Sequence, residues 1–149
     1  MEKPDYDKNH RQHEMSRTMH NQEAIAKLIL RLTVGILMLL HGTAKIINPG
    51  TLEFIGQNLS DIGLSPLIAY AVYLGEVLGP LMIIFGYYTR VGALLVVINM
   101  VFAILLVHSG QLLQLTSHGG WQLELQGLYL FGALAIMLLG SGRYAIRQG

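Results

Sequence analysis

With 149 residues the chain has room for a single domain, and with 52% hydrophobic and only 13% charged residues it falls well below the roughly 25% charged content of soluble domains, which places it in a bilayer. A net charge of +1, with the basic residues gathered at helix ends rather than in a stripe, gives no reason to expect a nucleic-acid partner. The absence of Cys excludes structural disulfides, a thiol relay carried by this chain, and thiolate-held zinc or iron–sulfur clusters.

Residues 1–24 are polar and mixed in charge, without the apolar core of a signal peptide, and read as a cytoplasmic tail. Its His10, His13 and His20 fit a solvated tail better than a metal tract and receive no role. Residues 25–147 read as an all-α integral membrane four-helix bundle with spans at about 28–47, 67–88, 91–108 and 123–139. Stretches of about 17–22 residues, rising 1.5 Å each, match a hydrocarbon core of roughly 30 Å. Between the first two spans, Leu52, Phe54, Ile55 and Leu59 make an apolar flank on a short helix at about 50–62, predicted to lie on the membrane interface. Ser65 followed by Pro66 suits the cap and first turn of the second span. Trp121, closing the third loop, suits an interfacial anchor.

Lys27, Arg31, Arg90, Arg143 and Arg147 all flank one side of this arrangement, and the opposite loops hold only Lys45, so both termini are expected in the cytoplasm.

Ionisable residues inside the spans are costly and mark an internal polar cluster. On the first helix Arg31, Gly35, Met38, His41, Gly42 and Lys45 share an arc of about 120°. On the second, Glu76, Gly79, Ile83 and Gly86 share one of about 80°, which makes Glu76 interior, with Gly75 and Gly79 allowing close helix contact. Asn99 and His108 point to opposite sides of the third helix. His108, level with His41 and Lys45, is favoured for the site, and Asn99 is expected to bond a neighbouring helix. Glu124 opens the fourth helix at the same level. The candidate catalytic set is therefore His41, Lys45, Glu76, His108 and Glu124, with Arg31, His41 and His108 as candidate cofactor contacts and no metal site assigned.

The run from Arg31 to Lys45, Glu76 ahead of a Gly-rich stretch, GlyTyrTyrThrArg at 86–90, His108, Glu124 and GlySerGlyArgTyr at 140–144 together resemble the DoxX family of small four-helix bacterial membrane proteins, over about residues 25–147. The resemblance implies a multi-pass protein of the inner (plasma) membrane. Relatives of that kind include a thiosulfate:quinone oxidoreductase subunit and a component of a membrane oxidoreductase complex in redox defence.

A quinone-linked redox subunit is the sharpest functional expectation. Quinone reduction needs an apolar pocket, donors at its carbonyls and a supply of protons, which His and carboxylate side chains provide. Electrons would come from a partner protein, since the chain carries no Cys and no flavin or nicotinamide motif; the partner could instead be a second copy in a homo-oligomer. The structural alternative is a scaffold or assembly subunit in which Arg31 pairs with Glu76 and Lys45 with Glu124. A small-solute or proton transporter, a haem held by His41 and His108, and a two-His, two-carboxylate metal site complete the alternatives.

Overall fold

The computed structural model describes residues 6–147, with side chains from residue 10 onward; residues 1–5 of the predicted tail and 148–149 lie outside it. It is all-α: α1 spans Tyr6–Ile47, α2 Gly50–Asp61, α3 Pro66–Phe85, α4 Thr89–Leu106 and α5 Glu124–Leu139. No strand forms among the described residues beyond one isolated bridge, Leu115 to Trp121.

Three helices are long and apolar enough to cross a membrane: His10–Ile47 within α1, α3 and α4, while α5 is apolar with 16 residues. Their outward faces carry large apolar side chains, among them Ile36, Leu40, Leu94, Phe102, Leu128 and Phe131, all exposed. A soluble bundle would not leave so broad an apolar surface in water. The chain is a multi-pass membrane protein. α1 is helical from Tyr6, so the polar stretch ahead of the apolar one continues the same helix; its 42 residues reach about 63 Å, twice a hydrocarbon core.

α1, α3, α4 and α5 pack around one core of Val34, Met38, Ile83, Ala93, Val96, Met100, Tyr129, Ala133 and Ile136. Small residues set the approach of the helices. A Cβ on Gly79 would lie 2.8 Å from the Gly92 carbonyl oxygen, and one on Gly42 would strike the Glu76 carbonyl. Larger side chains at either position would push α3 off α4 or α1 off α3.

α3 is not a uniform helix. It opens as a 3₁₀ segment, Pro66–Ala71, whose start is capped by Ser65, its Oγ accepting from the Leu67 N–H at 3.4 Å. It widens into a π turn at Leu74–Leu78 before continuing as Gly79–Phe85. Pro80 has no N–H to give the Glu76 carbonyl four residues back, so the ladder is broken there, and the Gly79 N–H reaches instead to Leu74. Gly86 ends α3 in the left-handed region, φ 69°, and with Tyr88 at φ 48° makes the tight turn into α4.

The bundle has two unlike ends. One carries Lys45, α2 and the 107–123 connection, and is called the α2 end. The other carries Arg31, the 86–88 turn and the segment 140–147, and is called the Arg31 end.

Candidate functional site

The π turn that follows from Pro80 sets Glu76 into the bundle, 4% exposed, where α1, α4 and α5 meet α3. Its carboxylate is held from two sides. Lys45 Nζ donates to Oε2 at 2.5 Å, and Asn99 Nδ2 donates to Oε1 at 3.3 Å. The side chains of the ion pair are 18% exposed for Lys45 and 5% for Glu76, so water screens the pair little. Gly75 lets Asn99 close on α3; a Cβ there would overlap the Asn99 side chain. Tyr73 donates its hydroxyl to the Lys45 carbonyl at 3.4 Å, tying the end of α1 to the same segment.

On the other side of Glu76, Tyr129 of α5 lies within electrostatic reach of the carboxylate and is 7% exposed. The His41 ring stands edge-on to it, centroids 5.4 Å apart at 87°. His41 itself is exposed.

Several expected pairings are corrected. Arg31 does not bridge to Glu76. It lies at the opposite end, 1% exposed, and donates to four backbone carbonyls: Nε to Ile83 at 2.9 Å, Nη2 to Ile84 at 3.1 Å, and Nη1 to Ser141 at 2.5 Å and Tyr144 at 2.9 Å. The carbonyls of Ile83 and Ile84 end α3, where helix-dipole charge is negative, and a planar guanidinium reaches both strands of chain at once. Every nitrogen of Arg31 is engaged with protein, so its place in the candidate cofactor set is taken by a structural clamp.

Lys45 does not pair with Glu124. Glu124 is exposed and accepts the Trp121 N–H at 2.9 Å, closing the turn into α5, while the Trp121 indole N–H donates to the Leu112 carbonyl at 2.8 Å. His108 ends α4 and sits 3.1 Å from Gln111 Oε1 and 3.5 Å from Gln126 Nε2, with no bond to the Lys45–Glu76 pair. Asn99, expected to serve only as a helix contact, is the α4 residue that reaches Glu76. Helical periodicity did put Asn99 and His108 on opposite sides of α4; the error lay in which side faces α3.

Tyr129 was missed, although Glu76 and Tyr129 are both the polar members of otherwise apolar helix faces. Among the described residues no group of three or more His, Cys, Asp or Glu is placed to hold a metal ion.

The polar cluster borders a cavity of about 210 Å³ between the α2–α3 connection, the first half of α3 and α4. Its walls include Leu59, Ala69, Val72, Leu95, Ala103 and Val107, and Asn99 is its one polar side chain. The rim residues Ile68, Leu74, Ile98 and Phe102 are exposed on the apolar outer surface, so the cavity opens sideways, toward lipid. Asn99 therefore joins an apolar cavity on one side to a buried ion pair on the other.

Comparison with known proteins gives the same outline. The DoxX family model matches residues 26–109. A Bacillus subtilis (strain 168) protein named "Putative oxidoreductase CatD" is 32% identical over 90 residues, which cover 60% of this chain and 64% of that protein, just under two thirds of its length. No solved structure matches.

Proposed function

The chain belongs to the DoxX family, and from that premise we propose that it is a quinone-linked subunit of an inner-membrane oxidoreductase. It is a four-helix bundle, with α5 as the fourth span. Both termini face the cytoplasm, because Lys27, Arg90, Arg143 and Arg147 lie at the Arg31 end and Lys45 is the basic residue of the other. The α2 end is then the outer end.

The observation that carries the reading is the lipid-facing cavity whose single polar side chain, Asn99, is bonded to the buried Glu76 of the Lys45–Glu76 pair. A quinone headgroup is flat and apolar with a carbonyl at each pole, and it arrives from the bilayer; these walls fit the ring and the Asn99 amide fits a carbonyl. When bound, a quinone accepts two electrons and two protons. Asn99 has two N–H groups, one given to Glu76 and one available to orient a carbonyl. Lys45 and Glu76 hold a proton and its countercharge one residue away from that carbonyl, out of water, where proton transfer to it needs no solvent. Electrons come from a partner redox protein. The relative named as an oxidoreductase supports this class of activity.

A scaffold role is the second reading. It is favoured by the amino-terminal half of α1, which projects beyond the bundle with Met15 and Met19 each 62% exposed and so offers a partner-docking helix.

The test is to purify the full chain in mild detergent, add a short-chain ubiquinone, and compare air-oxidised with dithionite-reduced absorption after removal of free quinone. We expect near-stoichiometric quinone in the wild type and loss of it in Asn99→Leu, which keeps the side-chain volume and removes the donor. A wild type that retains no quinone, or an Asn99→Leu protein that retains as much, would refute the reading.

A further inference from the structure

The two directions leading away from Glu76 along the bundle are chemically unlike. Toward the Arg31 end the interior is closed by Val34, Met38, Ile83, Val96, Ala133 and Ile136, each at most 7% exposed. Beyond them Arg31 has every nitrogen committed to carbonyls. Nothing in that half offers a group that can take up and release a proton. A proton moving through it would have to cross bare hydrocarbon, which costs far more than passage between titratable side chains.

Toward the α2 end the surroundings are polar. The groups that face Glu76 are Lys45 and, beyond Tyr129, His41 from α1; Asn99 from α4; Tyr129 from α5; and Tyr73 on α3 itself, whose hydroxyl is turned to the Lys45 carbonyl. Tyr129 is buried, and its hydroxyl has no hydrogen bond among the described residues. The ring edge it shares with His41 connects it to a side chain that is exposed on α1, six residues before the helix ends at Ile47. At 1.5 Å per residue, His41 sits only about 9 Å below the outer end of α1, within reach of the interface.

From this asymmetry we infer that Glu76 exchanges its proton with the α2 end of the bundle alone, by way of Tyr129 and His41. A proton taken from water by the His41 imidazole passes to the Tyr129 oxygen while the phenol's own proton moves to the Glu76 carboxylate. His41 returns to neutral, Tyr129 is unchanged, Glu76 becomes a carboxylic acid, and no electron moves. Tyr129 and His41 are proton-passing residues rather than contacts to a substrate. The inference deepens the quinone reading and rests on it for what finally consumes the proton, assigning the two protons of quinone reduction to the outer side; the exchange at Glu76 is measurable with no quinone present.

The experiment uses the full chain in right-side-out and inverted membrane vesicles with a buffered interior. The vesicles are treated with dicyclohexylcarbodiimide, which adds to a carboxylic acid and not to a carboxylate. The adduct at Glu76 is read by mass spectrometry and assigned by its absence in Glu76→Gln, and protease access to an N-terminal tag locates the α2 end in each preparation. Raising the pH on the α2 side is expected to slow labelling by up to about tenfold per pH unit, and raising it on the Arg31 side to leave labelling unchanged. Tyr129→Phe and His41→Gln are expected to lose the prompt response, yet to reach wild-type labelling after long equilibration, which also shows that they are folded. Because His41 is exposed, His41→Gln remains a valid test should Tyr129→Phe not fold.

Labelling that follows the Arg31 side, variants that respond as promptly as the wild type, or a Glu76 that takes no label at any pH would each overturn the inference. A one-sided response in a protein that binds no quinone would remove the quinone reading and leave this one standing.

Discussion

The Lys45–Glu76 pair permits a stability prediction whose sign differs between the two partners. Lys45→Met leaves the Glu76 carboxylate at 5% side-chain exposure with only the 3.3 Å bond from Asn99. Stranding a buried charge in this way costs about 3–5 kcal/mol at neutral pH. Glu76→Gln is milder. Lys45 lies two residues from the end of α1, its side chain is 18% exposed, and its stem can carry the ammonium to the interface, so the cost is about 1–2 kcal/mol. The double variant Lys45→Met with Glu76→Gln has no charge left to strand and keeps the Asn99 bond to an amide oxygen. It should stand within about 1 kcal/mol of wild type, which makes the coupling energy about 3 kcal/mol or more. Equilibrium unfolding in mixed micelles with increasing sodium dodecyl sulfate, followed by the fluorescence of Trp121, the single Trp, supplies all four corners of the cycle. Singles that add to within about 0.5 kcal/mol would show that the pair is not an energetic unit and would refute the reasoning.

Arg31→Met removes the donor from four carbonyls, each such charge-assisted bond being worth about 1.5–3 kcal/mol before the relieved desolvation of the guanidinium is set against it, so a net loss of about 3–4 kcal/mol is expected. The same variant should let trypsin cut at Arg143 under conditions where the wild type resists, and Arg31→Lys should restore little, because an ammonium cannot span the end of α3 and the 141–144 segment together; a tail equally protected in all three would count against the clamp. Gly75→Leu drives a side chain into Asn99 and should cost about 3 kcal/mol and abolish quinone retention, measured by the same unfolding and extraction assays. Glu124→Gln alters only the turn at Trp121 and should cost at most about 1 kcal/mol, with quinone retention unchanged. Loss of quinone in that variant would return Glu124 to the site.

Composition and periodicity alone determined the class of this protein. A polar residue inside hydrocarbon is so costly that long apolar runs are hard to mistake, and the interior placement of Glu76, Gly79 and Ile83 follows from a period of 3.6. Ser65 and Pro66 also announced the start of α3 through local capping chemistry that needs no tertiary partner.

Which charges meet was decided by the tertiary structure. The partner of Glu76 depends on how far each helix is rotated and shifted against its neighbours, and neither quantity is encoded within any one helix. Pro80 widens α3 by a π turn and so changes the facing of the residues before it relative to an ideal helix. Gly42, Gly75, Gly79 and Gly92 set which faces approach closely. Those two effects bring Lys45 and Asn99 to Glu76. Arg31 remains at the far end, where the chain's own carbonyls, invisible to any reading of side-chain charges, take the place of the carboxylate it was expected to find.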